Sequence, residues 1–139
     1  MDEATPSMKT RAFLIFCAVG LVPIALGYGA KPSTSLDFLF GITVDTTNLT
    51  HIMRAVMGLY LGMVVIWVWG AFKKRMSRPA LVSCAVFMLG LAAGRILSFF
   101  VDGMPNWLLV VYAVLEIVLG LMAIVLYMKY NPEDTAVSK

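Results

Sequence analysis

Charge is scarce in this chain. Asp, Glu, Lys and Arg together make up 14% of its 139 residues, against about 25% in soluble domains, while hydrophobic residues reach 60% and mean hydropathy is +0.87. That balance excludes an ordinary water-soluble domain. Histidine occurs once, as His51, and a lone histidine without companions cannot furnish the ligand set of a metal centre. The two cysteines, Cys17 and Cys84, both sit inside apolar runs. They form no CxxC and no metal-type spacing, so each is expected to serve as a small buried hydrophobe. No nucleotide-binding motif, internal repeat or low-complexity tract is present. The net charge of +3 could invite a nucleic-acid reading, but the basic residues fall in short clusters beside apolar runs, which is the signature of membrane topology.

What the chain does contain is apolar runs, and there are four, each about as long as a bilayer crossing requires. We place the spans at about 12–29, 49–72, 80–101 and 107–130, in a single integral membrane domain covering residues 1–139. The charged start before the first run resembles a signal peptide. The run itself is long enough to span, however, and Tyr28-Gly-Ala-Lys-Pro32 makes a poor cleavage site, so it is read as a retained span. The polar start, residues 1–7, is expected to fray. Pro23 should kink the first helix. In the longest connection, Ser35 to Gly41 pairs a possible Ser cap with a Gly stop, predicting a short interfacial helix. Thr46-Thr47-Asn48 offers caps for the second span, which ends in Trp67, Trp69 and Phe72, aromatics suited to a headgroup boundary. Lys73 to Pro79 reads as a basic hairpin loop, and Asp102 to Asn106 as a tight turn. Asn48-Leu-Thr50 matches a glycosylation sequon, a three-residue pattern too common to carry weight here.

Lys9, Arg11, Lys73, Lys74, Arg75, Arg78, Lys129 and Lys139 flank one set of membrane ends and Lys31 alone the other. The positive-inside rule therefore predicts a four-helix all-α membrane bundle with both termini cytoplasmic.

Ionisable residues inside the spans are costly and mark either a clasp or a site. Helical rise places Arg54 ~7 Å, Arg95 ~9 Å and Glu116 ~14 Å below the outer membrane ends of their helices. All three share the outer half of the bundle, and Glu116 leans toward the outer end of its helix. The expected constellation is Arg54 and Arg95 converging on Glu116, with His51 and Asp102 at the rim. His51, Arg54, Gly58 and Gly62 form one helical stripe. Gly58-x-x-x-Gly62, Gly90-x-x-x-Gly94 and Gly120 would let helix backbones approach closely. Three readings of the cluster stay open: a structural clasp, a site for a polar or anionic headgroup, quinone or other amphiphile, and catalysis or proton transfer. The ten methionines are read as packing filler.

The ordered set Pro32…Leu36…Leu39-Phe40-Gly41-Ile42, Asn48…His51-Ile-Met-Arg54-Ala-Val-Met-Gly58-Leu-Tyr60-Leu-Gly62, Gly94-Arg95…Ser98…Asp102-Gly103-Met-Pro105 and Glu116-Ile-Val-Leu-Gly120 resembles the bacterial family called domain of unknown function 4345, small four-span proteins similar to the DoxX-like group. The resemblance runs over about residues 10–128. It implies a four-helix inner-membrane protein and supplies no established activity or cofactor. DoxX-like proteins include members associated with quinone-linked oxidation, which admits a quinone by analogy.

The expected function is therefore non-enzymatic: a small membrane subunit or lipid- and amphiphile-binding protein, with a protein partner or homo-oligomer and no nucleic acid. The alternatives are a component of a quinone-linked redox enzyme and a small-solute transporter, for which four helices would require oligomerisation. Reporter fusions test the topology: a fusion at residue 40 should report from outside the cytoplasm and one at residue 76 from within it, and cytoplasmic labelling at residue 40 would overturn the assignment.

Overall fold

Polar residues between the apolar runs start the helices of this chain, as a computed structural model of residues 6–130 shows. The tail from Asn131 onward, and residues 1–5 of the start expected to fray, lie outside the described residues. Ser7 caps α1 (Met8–Gly29), its Oγ accepting from the Thr10 amide at 3.3 Å. Thr46 caps α3 (Thr47–Phe72), accepting from the Leu49 amide, and Asn106 caps α5 (Trp107–Met128), accepting from the Leu108 amide. Each cap satisfies a backbone donor that the first helical turn leaves free.

Between α1 and α3 lies the short helix α2 (Pro32–Phe40). It begins earlier than Ser35: Lys31 is the capping position, Pro32 occupies the first turn, and the Ser35 hydroxyl donates back to the Lys31 carbonyl. Gly41 ends it in the left-handed region at φ 68°, a conformation that glycine adopts without steric cost. The remaining helix, α4, runs Lys74–Val101. The basic stretch is thus no loop. Only Lys73 separates α3 from α4, and Lys74 to Pro79 already belong to the first turns of α4. Helix α1 continues through Pro23. All but α2 are long and apolar enough to cross a membrane, and the described residues contain no strand. The architecture fits a multi-pass membrane protein, and the many outward Leu, Val, Phe and Ile side chains are then the lipid-facing surface.

The α3–α4 corner shows how so short a connection closes. Gly70 is buried, and a Cβ there would collide with the Ala80 side chain and lie 3.0 Å from the Met76 carbonyl. The buried Ser77 hydroxyl donates to the Gly70 carbonyl at 2.8 Å, bonding across the corner. At the same end, Arg11 lies over the Phe72 ring (4.7 Å) and Arg78 over Tyr127 (4.8 Å), while the Tyr130 hydroxyl donates to the Lys74 carbonyl. The basic residues therefore gather at one end of the bundle and cover aromatic faces there.

Helix order in space is α1, α3, α4, α5. Helix α1 packs along α3, α3 on α4, and α4 on α5; α1 touches α4 lightly, and α1 and α5 scarcely meet. The core lies along the inner seam and includes Leu14, Cys17, Trp67, Leu81 and Cys84. Trp67 is fully buried, with its indole N–H donating to Ser83 at 3.2 Å, so it is a core residue, and only Trp69 and Phe72 of the expected aromatic belt face outward. A run of ring contacts continues from Trp67 through Phe87, Tyr60 and Tyr28 to Phe40, with centroids 5.0–6.1 Å apart, within the range of favourable aromatic pairs.

The glycines that carry helix packing are consequently not all the expected ones. Gly58, Gly62, Gly90 and Gly94 have no neighbour within 4 Å of an added Cβ. Gly29 against Met57, Gly70 against Ala80, and Gly120 against Leu89 (2.6 Å) are the close approaches. Gly70→Val should destabilise the protein by about 1–3 kcal/mol, the range for overpacking a filled seam, whereas Gly58→Ala should be neutral or stabilising. Denaturant or thermal unfolding in detergent micelles reads both.

Candidate functional site

Arg95 and Glu116 meet because α4 and α5 are antiparallel neighbours joined by a short turn. Arg95 stands about 10 Å along the helix from Asp102, and Glu116 about 15 Å from Asn106, at 1.5 Å per residue. Side chains lean toward their own helix N-terminus, so Arg95 leans away from the turn and Glu116 toward it, which closes the difference. The Arg95 Nε–H is shared between Oε1 at 3.0 Å and Oε2 at 2.9 Å. Their side chains are 18% and 10% exposed, a nearly enclosed pair in which each charge offsets the desolvation of the other. The Arg95 guanidinium also lies 5.8 Å from the Tyr112 ring, and Tyr28 is nearby.

Arg54 is not part of this group. It is exposed on α3, and no ion pair joins it to Glu116 among the described residues. The reason is helical phase. Sequence separation from the buried Trp67 turns the helix by roughly 220° at Arg54, 160° at His51, 180° at Gly58 and 140° at Gly62. The stripe recognised in the sequence is real, but it is the face of α3 that looks away from the core. His51 is exposed with it. Asp102 is also exposed; it occupies the C-cap position of α4 and accepts a hydrogen bond from the Ser98 hydroxyl, and does not reach Glu116. Gly90 and Gly94 line a shallow groove between α4 and α5, with Arg95, Ser98, Pro105 and Leu109 at its sides.

Beside the ion pair lies a cavity of about 140 Å³. Its walls come from α1 (Phe16, Gly20, Ile24), α3 (Tyr60), α4 (Met88, Leu91, Arg95) and α5 (Tyr112, Glu116, Leu119). It opens where α1 and α5 fail to pack. Phe16 and Leu119 continue it toward Met122 and Leu126 at the basic end, and Ile24 and Tyr112 continue it toward Tyr28 and Phe40 at the other. The result is a lateral cleft along the bundle, apolar throughout most of its length, with the Arg95–Glu116 pair in its wall and Lys9 at its basic end. Sequence reading missed the three tyrosines Tyr28, Tyr60 and Tyr112. A Tyr in the middle of an apolar run carries a polar hydroxyl that calls for a partner, and that was the available signal. It also missed that Cys17 and Cys84 are near neighbours between α1 and α4, both buried and free. Among the described residues, no group of three or more His, Cys, Asp or Glu could hold a metal ion.

Residues 9–127 match a family described as a domain of unknown function, DUF4345. The chain belongs to that family. Neither the curated proteins nor the solved structures yield a match. In this DUF4345 chain the residues anticipated as one cluster therefore separate into an enclosed pair, Arg95–Glu116, and an outward face bearing His51 and Arg54.

Removing one partner of an enclosed ion pair strands the other. Glu116→Ala should cost about 3–5 kcal/mol and sharply lower the yield of folded protein, whereas Arg54→Ala should change stability by less than about 0.5 kcal/mol. Unfolding midpoints in detergent, with size-exclusion profiles, distinguish the two positions.

Proposed function

We propose that this DUF4345 protein is a small inner-membrane protein that binds a lipid or other amphiphile in the cleft between α1 and α5, with the polar part of the ligand against Arg95 and Glu116. The observation that carries this reading is the pairing of an apolar cavity that opens between α1 and α5 with the Arg95–Glu116 pair in its wall. Ligand sites are largely apolar concavities with a few convergent polar groups, and a charged residue held at membrane depth marks such a site by default. Entry is lateral: the gap between α1 and α5 admits a molecule already dissolved in the bilayer without any helix parting from a packed neighbour. Both termini are placed in the cytoplasm on the distribution of Lys and Arg, which puts the ion pair in the outer half, and α2 then rests at the outer interface.

The outward face of α3 supports a complementary role as a membrane subunit. An arginine on a lipid-facing surface can snorkel to the headgroups or meet a carboxylate on another membrane helix, so partner association is compatible with ligand binding in the cleft on the far side.

Purification in native lipid followed by mass spectrometry of the copurifying molecules tests the reading. One recurrent amphiphile should accompany the wild-type protein and fall by about tenfold or more in Arg95→Gln, whereas Arg54→Gln should retain it. Equal retention in the wild type and Arg95→Gln overturns the assignment.

A further inference from the structure

The chemical class of the ligand can be narrowed, on the premise that the cleft binds an amphiphile. We infer that its occupant is an uncharged, single-tailed amphiphile whose head is one small oxygen-bearing ring, rather than a phospholipid. Three features of the site converge on this class.

Charge is the first. The Arg95 Nε–H is given to both oxygens of Glu116, and the carboxylate faces the same cavity. The pair sums to zero, so an anionic head meets repulsion from Glu116 along with attraction to Arg95. A neutral head avoids that net repulsion, since its oxygen can accept from Arg95 and a hydroxyl can donate to Glu116. A guanidinium carries five N–H groups; with the Nε–H given to Glu116, terminal N–H groups remain for a carbonyl or hydroxyl oxygen of the ligand.

Depth is the second. Arg95 and Glu116 lie about 9 and 14 Å from the ends of their helices, within a hydrocarbon layer about 30 Å thick. A phosphate drawn so far from water loses its hydration, a penalty of the kind that keeps charged groups at the interface. An uncharged oxygen on a ring has no such barrier.

Size is the third. A cavity of about 140 Å³ matches the roughly 150 Å³ that accommodates one benzene ring in an apolar protein interior. Phe16, Tyr60 and Tyr112 supply aromatic walls for it, and rings favour offset or edge contacts with such walls. The largely apolar continuation past Phe16, Leu119, Met122 and Leu126, with Lys9 at its far end, gives one tail a path toward the basic end of the bundle.

Gly20 provides a variant that blocks the cavity without disturbing the fold. It lines the cavity, and a Cβ there meets nothing within 4 Å, so Gly20→Leu enters the cavity from α1 at a point where no neighbouring helix is packed against the backbone. The full-length protein in lipid nanodiscs should be titrated with a decyl-tailed benzoquinone, with the corresponding quinol and with a decyl-tailed cyclohexanol, and separately assembled with phosphatidylglycerol at varied mole fraction, with binding read by ligand-observed NMR and by thermal stabilisation. At least one ring-headed probe should bind saturably and weaken by about tenfold or more in Gly20→Leu, while the unfolding midpoint of the ligand-free variant matches the wild type. The quinone, quinol and cyclohexanol arms separate a carbonyl from an aromatic or aliphatic hydroxyl as the recognised oxygen. Saturable phosphatidylglycerol binding that Gly20→Leu abolishes, with no ring-headed probe bound, overturns the ring-headed class and leaves the amphiphile site standing. If Gly20→Leu alters the binding of none of these molecules, the site in the cleft is itself refuted.

Discussion

A guanidinium and a carboxylate held together inside an apolar bundle constrain nearly everything around them. Arg95 and Glu116 each carry a charge that hydrocarbon strongly disfavours, and each is tolerable only while the other stays within 3.0 Å. Helices α4 and α5 must therefore keep one register. The close seating of Gly120 against Leu89 and the turn from Asp102 to Asn106 serve that register from either side. At the far end of the same helices, Arg78 over Tyr127 and the bond from Tyr130 to Lys74 fix the second point needed to define a line. The pair is thus both the most demanding contact in the bundle and the polar feature of its cavity.

The opposite pair of helices is held by different means. Helix α1 lies along α3 through apolar packing, with Gly29 seated on Met57 and the Tyr28–Tyr60 ring contact. The α3–α4 corner then ties the two halves together through one residue of connection, a buried glycine and a serine bonded to its carbonyl. Two rigid hairpins joined at one corner leave a gap on the side where no connection runs. The cleft follows from that topology: nothing in the sequence of α1 or α5 needs to hold it open.

Much of this was legible from residue types alone. Four spans, the cap at Thr46, the glycine stop at Gly41, and Glu116 and Arg95 as partners all follow from hydropathy, local turn chemistry and depth along a helix. Rotational phase was not legible in α3. Its apolar residues run around the whole circumference, so the position of His51, Arg54, Gly58 and Gly62 on a single stripe is evident while the direction that stripe faces is not. In a soluble helix the polar stripe marks the outside by contrast with an apolar core. In lipid that contrast is lost, and GxxxG patterns read equally well as seam or as surface. The buried glycines, Gly29 and Gly70, were missed for the same reason: each is defined by a neighbour on another helix. The basic stretch from Lys73 to Pro79 was read as a loop because charge and proline interrupt the apolar run, yet α4 continues through Pro79 in its second turn, and Arg78 finds the Tyr127 ring.

The scarcity of contact between the first and last spanning helices also makes the surrounding membrane a structural component. Where α1 and α5 would ordinarily press against each other, acyl chains or a bound molecule must fill the space, since an empty cleft would forfeit dispersion contacts along its length. The spacing of these two helices is then set by whatever fluid fills the gap. Lateral pressure and acyl-chain packing act on that spacing directly, with little protein–protein contact to oppose them, so the width of the site responds to the physical state of the bilayer.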